Sequence, residues 1–487
     1  MKLLREIIYG VSILEIKGNT NIAIEKLTFD SRQVQNLSLF VAVVGSKSDG
    51  HDFISNAENA GVSAIICETF PENLKEDVTY IKVPDSSSAL GLIASNFYDN
   101  PSEKLQLIGI TGTNGKTTCA TILYDLFRLL GFKTGLISTV NIRVLHKTYA
   151  STHTTPDAIR INEVLHEMVS TGCTHVFMEV SSHAIDQNRI HGLKFKIAVF
   201  TNISRDHLDY HNSFDEYISC KKKLFDNLLD DAFAIINYDD KHGEIMGANT
   251  LAKVISFGLN GKTNISSKVL ENDISGLTLE INGHEMTSRL VGRFNAYNLL
   301  VAFAVGKYLG QDELSLLTIL SSVKAPQGRF EYFLSDQKIT AVIDYAHTPD
   351  ALENVLKTLI DLKKGTEKVI TVFGCGGNRD KGKRPLMGEI SSRLSDQVLI
   401  TSDNPRNEDP DSIINEIYHG VPSVLKEKVF TVTDRMEAIE MACNMASAGD
   451  VILIAGKGHE NYQIIGNESL HFDDMENTIH IFKKLKK

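Results

Sequence analysis

The sequence predicts an α/β protein whose parallel sheets are divided among three domains. Short β-branched apolar runs alternate with amphipathic helical stretches along most of the chain. One of those runs leads straight into a glycine-rich loop that opens a helical pattern. The length of 487 residues holds two to four domains at roughly 100–200 residues each, and two turn-rich segments offer boundaries.

The candidate strands, in chain order, are Leu105–Ile110, His175–Val180, Ile197–Thr201, Phe233–Asn237, Ile339–Ile343, Val369–Phe373, Gln397–Thr401 and Val451–Ala455. Between them, Ala351–Leu362 repeats apolar residues at helical spacing. The first boundary is the turn Asp99-Asn100-Pro101-Ser102. The second follows Gln327-Gly328-Arg329-Phe330, near Leu334–Lys338. These cuts predict domains of residues 1–100, 101–333 and 334–487.

Composition narrows the class. Hydrophobic residues make up 42% and charged residues 23%, as in ordinary globular proteins. A net charge of -11 disfavours a nucleic-acid partner, although local basic groups can still bind a small anion. The six cysteines, Cys67, Cys119, Cys173, Cys220, Cys375 and Cys443, form no C-x-x-C pair, so reduced thiols in a cytoplasmic protein are expected. The opening MKLLREIIYG is too short and too charged for a signal peptide. No run of about 18 apolar residues predicts membrane insertion.

The strongest local signal is Ile110-Thr111-Gly112-Thr113-Asn114-Gly115-Lys116-Thr117-Thr118, followed by a helical pattern over Ala120–Leu130. Backbone N–H groups in such a loop cradle phosphates, with help from the following helix N-terminus. Lys116 is placed for the β- and γ-phosphates and Thr117 for magnesium. The loop departs from the common G-x-x-x-x-G-K-[ST] form, because Ile110 stands at its first glycine.

Glu179 ends an apolar run, where a carboxylate reaches the open edge of a parallel sheet and can bind a metal. The stretch Asn202-Ile203-Ser204-Arg205-Asp206-His207-Leu208-Asp209-Tyr210-His211 invites a zinc reading. No further histidine or cysteine cluster follows it, and a hard magnesium site fits better beside a phosphate loop. Lys221-Lys222-Lys223, taken alone, reads as a solvated helix face.

The glycine loop, Glu179, the Asn202–Asp209 stretch, Asn295, Asn298, Arg329 and Asp344 occur in the order seen in Mur ligases, which the chain resembles over essentially its full length. Asp403-Asn404-Pro405-Arg406 and Gly456-Lys457-Gly458-His459-Glu460 narrow the resemblance to members that add a diamino acid. It implies a central P-loop-type parallel-sheet ATPase domain, a uridine-nucleotide-binding domain before it and a Rossmann-like amino-acid-binding domain after it. It implies ATP and magnesium as cofactors, with UDP-N-acetylmuramoyl-L-alanyl-D-glutamate and meso-2,6-diaminopimelate as substrates. Asn295, Asn298, Arg329 and Asp344 then join Gly112–Thr118 at the nucleotide. Lys116, Glu179, His207 and Lys221 become the catalytic set. Thr117, Glu179, His207 and Lys221 hold metal, the last as a carbamate, because it precedes Leu224-Phe225 as the family's modified lysine does.

For the uridine substrate, the resemblance points to Phe29 and Ser31 of Thr28-Phe29-Asp30-Ser31-Arg32, and to Ser46, Lys47 and Ser48. It adds Thr154, Thr155, Ser181, Gln187 and Arg189, donors suited to an anionic nucleotide sugar. It is looser at Leu37-Ser38, where Mur ligases often carry Gly-Asp. For the amino acid it points to Arg379, Asp403, Asn404, Pro405, Arg406, Gly456 and Glu460. The glycines at Gly374-Cys375-Gly376-Gly377 suggest a dinucleotide loop instead, but the G-x-G-x-x-G spacing fails. Three other readings stay open at this point: a folylpolyglutamate synthetase, which lacks the first domain; a lysine-adding Mur ligase; and a nucleotide-gated binding protein without ligase activity.

Overall fold

The computed structural model describes residues 1–45, 48–207, 210–273, 276–363 and 365–487. Their strands assemble mainly into three sheets. The first sheet orders Glu15–Lys17, Thr79–Lys82, Ala64–Cys67, Ser38–Val41 and Lys26–Thr28, parallel except for its first member.

The turn into Ser38–Val41 puts Leu37 at φ 60°. This is the position where the resemblance was loose, and a left-handed conformation there suits glycine. The chain keeps the turn with leucine, at a cost of about 1–2 kcal/mol. The Leu37 carbonyl accepts the Glu25 N–H at 2.8 Å, which holds the turn in place.

Among the described residues the central sheet has eleven strands. Its parallel middle runs Thr134–Ile137, His175–Glu179, Gln106–Thr111, Ile197–Phe200, Phe233–Asn237 and Lys253–Gly258. Antiparallel ribbons extend both ends, so the expected parallel sheet is mixed at its margins. The middle strands carry no alternation of polar residues because helices cover both faces. Lys116–Leu129 and Arg293–Tyr308 pack on one side, within a core that includes Ile110, Leu123, Phe127, Phe177, Leu299 and Phe303. Ala158–Ser170 and Phe214–Asp226 cover the other.

The third sheet orders Glu331–Leu334, Thr340–Asp344, Val451–Ala455, Val369–Phe373, Gln397–Ile400 and Val429–Thr431, antiparallel only at the first pair. Arg435 and Asp474 pair beneath it, both fully buried, through two bonds of 2.8 Å. Each of the eight predicted strands is present within one residue at either end. All six cysteines are buried and free. Among the described residues no helix is long and apolar enough to cross a membrane.

Candidate active site

Parallel strands deliver their C-terminal ends to one edge, and the candidate residues sit there. Gln106–Thr111 lies between His175–Glu179 and Ile197–Phe200, with Ile110 opposite Glu179 and Thr111 opposite Phe200. The glycine loop, Glu179 and the segment from Thr201 therefore emerge side by side. In the third sheet, four adjacent parallel strands release Asp344, Gly456–Glu460, Gly374–Arg379 and Asp403–Arg406 at a common edge. The two edges face each other across a cleft of about 1000 Å³.

One wall is the glycine loop. Gly112 has φ 149°, and a Cβ there would lie 2.0 Å from Thr201 Oγ1, so only glycine fits. The helix begins at Lys116, four residues earlier than the apolar pattern suggests, because its first turn is built from polar loop residues. Lys116 Nζ donates to the carbonyls of Gly112 and Thr113 at 2.8 and 2.9 Å. Burial lowers the pKa of its ammonium, with Glu179 and Asp206 opposing. Thr117 Oγ1 donates to Glu179 Oε2 at 3.0 Å. Glu179, 1% exposed, also accepts the Thr139 N–H at 2.7 Å, so it is an inward-facing carboxylate rather than a solvated strand end.

Asp206 and His207 follow from the next strand end. Burial raises the Asp206 carboxyl, but His207, His347 and Lys116 outweigh that and hold it below the usual range. Burial pushes the His207 imidazole below its usual range against the pull of Asp206. Leu208 and Asp209 of the same motif lie outside the described residues. The three lysines part company: Lys221 is buried, whereas Lys222 pairs with Asp226 and Lys223 reaches Asp186 at 4.0 Å on the surface.

Arg329 joins the two walls. Its Nη2 donates to Thr117 Oγ1 at 3.1 Å while the guanidinium lies 4.5 Å from the Tyr345 ring centroid. The next residue, Phe330, donates its N–H to Asp344 Oδ2 at 2.7 Å. Burial pushes the Asp344 carboxyl up to about 6 although Arg329 opposes it. Asn298 lines the cleft, and its amide donates to Asn295 Oδ1 beneath it at 2.8 Å.

The far wall holds Arg379, Asp403, Asn404, Arg406, Gly456 and Glu460. Asn404 donates to Glu460 Oε2 at 2.8 Å, and burial raises the Glu460 carboxyl, aided by Asp403. Pro405 does not line the cleft but leads into Arg406, which adopts φ 54°.

Thr154, Thr155, Ser181 and Arg189 line the cleft on the side nearest the first sheet. Arg189 is held by the Thr155 carbonyl at 2.8 Å and by Gln187 Oε1. The Ser181 hydroxyl accepts the Ala184 N–H at 3.2 Å, which is helix-cap chemistry. Phe29 is 42% exposed and Ser31 opens a short turn on the first sheet; neither lines the cleft. Ser48 is exposed, and Ser46 and Lys47 lie outside the described residues.

Thr139, Asp350 and Lys457 also take part in the site, although no role for them follows from the sequence alone. Asp350 Oδ2 accepts from Asn114 at 2.8 Å and from Ser204 at 3.0 Å, tying the third sheet's first helix to the glycine loop. Lys457 is fully buried against Asn404 and Glu460. The glycines flanking Lys457 were a usable signal for it; Thr139 and Asp350 sit in no local motif.

The chain matches the Mur ligase middle domain over residues 110–306, the Mur ligase glutamate ligase domain over 328–458 and the Mur ligase family catalytic domain over 23–98. It belongs to the Mur ligase family. Members of this family are ATP-dependent, amide-forming ligases. A UDP-N-acetylmuramoyl-L-alanyl-D-glutamate–2,6-diaminopimelate ligase of Cytophaga hutchinsonii is 52% identical, with 97% of each chain covered. The ligase of the same name from Bacteroides fragilis is 49% identical over 98% of this chain and 99% of its own. A solved structure of a ligase so named superposes with a TM-score of 0.70 at 31% identity, covering 100% of this chain and 99% of that one. In this Mur ligase the two facing sheet edges therefore belong to a known three-domain architecture.

Proposed function

We propose that this Mur ligase joins meso-2,6-diaminopimelate to UDP-N-acetylmuramoyl-L-alanyl-D-glutamate, in the cytoplasm, as a step of peptidoglycan synthesis. The supporting observation is the shared cleft: Lys116 and Thr117 stand on one wall, Arg406 and Glu460 on the other. A carboxylate activated at the first wall is thereby within reach of an amine held at the second. We assign residues 1–100 to the uridine nucleotide, 101–333 to ATP and 334–487 to the amino acid.

The D-glutamyl side-chain carboxylate attacks the γ-phosphorus of ATP, ADP leaves, and an acyl phosphate forms. The amine attacks the acyl carbon, the C–O bond to phosphate breaks, and the amide, phosphate and a proton are released. Activation is required because a carboxylate lacks a usable leaving group. Lys116 offsets charge on the phosphoryl oxygens. Gly112–Thr118, Asn295, Asn298, Arg329 and Asp344 hold the nucleotide. Phe29, Ser31, Ser46, Lys47, Ser48, Thr154, Thr155, Ser181, Gln187 and Arg189 hold the uridine substrate.

The oxygens of Thr117 and Glu179 form a hard donor pair beside the loop, and magnesium needs only one or two such protein ligands when phosphates supply the rest. Thr117 and Glu179 would hold one such ion, with His207 and carbamylated Lys221 the proposed ligands for a second beside it, and the metal would supply further charge neutralisation at the phosphates.

For the amino acid, Arg406 presents a planar fork to the carboxylate that distinguishes diaminopimelate from lysine. Glu460 faces an ammonium, Arg379, Asp403, Asn404 and Gly456 shape the remainder, and Pro405 acts only by setting the turn into Arg406. The test is an amino-acid panel with ATP and the UDP-dipeptide, read by phosphate release and product mass. Phosphate release dependent on both dipeptide and meso-diaminopimelate, with a product heavier by one diaminopimelyl unit, is expected. Equal use of L-lysine, or nucleotide binding without turnover, overturns the assignment.

A further inference from the structure

Arg384 and Arg435 are the two largest fully buried side chains among the described residues, and Arg384 lies next to Lys383, which lines the cleft. It sits in the first turn of Lys383–Leu394. Its Nη1 donates to Glu408 Oε2 at 3.0 Å and to Glu416 Oε2 at 2.7 Å. Its Nη2 donates to Glu408 Oε1 at 3.1 Å and to the Gly376 carbonyl at 3.3 Å. One guanidinium thus grips the loop after Val369–Phe373 and the loop after Gln397–Ile400, which carry Arg379 and Arg406 respectively.

The two loops are fastened to each other around that grip. Glu408 Oε1 also accepts the Asn378 N–H. Gly377 donates its N–H to the Asn404 carbonyl at 2.9 Å, and a Cβ on Gly377 would lie 1.9 Å from the Pro405 carbonyl oxygen. Arg406 Nη1 donates to the Gly377 and Asn404 carbonyls at 2.9 and 3.4 Å. Those bonds use one nitrogen of Arg406. Among the described residues its Nε and Nη2 make no hydrogen bond, so that edge of the fork is left for a carboxylate. A non-glycine residue at φ 54° keeps that conformation only where its surroundings over-determine it.

We propose that Arg384, through Glu408, is a positioning residue that sets the aim of Arg406 and so the enzyme's selectivity for the carboxylate-bearing end of its amino acid. Arg384 touches no substrate in this scheme. It holds the two loops at the separation at which the Arg406 fork can be bidentate, and small misplacements of such a group are costly. The hydrogen bonds from Arg384 hold the Glu408 carboxyl down at about 2, so the grip stays charged throughout the physiological range. The inference rests on the amino-acid site proposed above.

The test compares Glu408→Gln, Arg384→Lys and Arg384→Met with wild type, measuring kcat and KM for each substrate. Glu408→Gln keeps the side chain's shape but turns an amide donor toward the guanidinium. It should raise KM for diaminopimelate about tenfold or more, narrow the preference over L-lysine, and leave KM for ATP and for the UDP-dipeptide within twofold. Arg384→Lys should fall between wild type and Arg384→Met. If Arg384→Met does not fold, Glu408→Gln decides. A KM for diaminopimelate within twofold of wild type in Glu408→Gln overturns the proposal, as does an equal rise for all three substrates, which would mean general loosening of the fold. Should the wild type accept a different amino acid, the substrate assignment fails separately. The same variants are then measured with that amino acid, and an unchanged KM overturns the clamp.

Discussion

Lys221 Nζ donates to the carbonyl of Gly112 at 3.1 Å from a fully buried position, 4.6 Å from the centroid of the Tyr217 ring. Burial, and then the nearby Lys116, push its ammonium well below the usual lysine range. The neutral amine so favoured is the form that adds to CO2, giving a carbamate and a proton. Lys221→Ala should lose most activity, at least the roughly 10- to 100-fold that loss of a mere outer partner of a metal site costs, with partial rescue by short carboxylic acids. Wild-type activity should depend on dissolved CO2. Lys222→Ala and Lys223→Ala should behave as wild type. Equal sensitivity of the three lysines would instead indicate a diffuse electrostatic patch.

Lys116 bonds the carbonyls of its own loop rather than packing in a core. Lys116→Ala should therefore fold, with a melting temperature near that of wild type. Its phosphate release should fall by roughly 10²- to 10³-fold, the scale for removing one preorganised charge at a transition state. Near-normal turnover by the folded variant would remove the glycine loop from the mechanism.

Arg406 should govern the choice of amino acid. Leaving a charge unpaired in a desolvated site costs ~2–5 kcal/mol. At about 1.4 kcal/mol per decade this is roughly a 30-fold or larger loss. Arg406→Ala should raise KM for meso-diaminopimelate by that factor and erase the preference over L-lysine. Titration calorimetry should find ATP and UDP-dipeptide binding nearly unchanged. An intact preference in the variant would show that another cation reads the carboxylate.

Asp344 gives the enzyme a pH dependence of predictable sign. Its carboxyl, raised to about 6, is ionised above that pH and takes up a proton below it. The ionised form accepts the Phe330 N–H and faces Arg329, so this arrangement, at the proposed nucleotide site, weakens as pH falls through 6. KM for ATP should rise across that interval. Asp344→Asn should start from a higher KM and show no inflection there. An inflection that survives the substitution would belong to another group.

The parts of this molecule readable in the chain are those built from neighbours in sequence. Strand His175–Glu179 needs only a run of apolar residues, and the glycine loop needs only Gly112, Gly115, Lys116 and Thr117 at fixed offsets between a strand and a helix. The helix start at Lys116 escaped the apolar pattern because that turn is polar. Contacts between distant residues left no such trace. Whether Lys221 is exposed like Lys223, half-buried like Lys222 or buried against Gly112 depends on which face of Phe214–Asp226 meets the central sheet, and three adjacent lysines look alike in local pattern until that face is chosen. The Arg384 clamp spans 24 and 32 residues to its carboxylates, and it exists because parallel strands bring separate loops to one edge. Local periodicity can announce an element; the burial and partner of a charged side chain are set when elements pack.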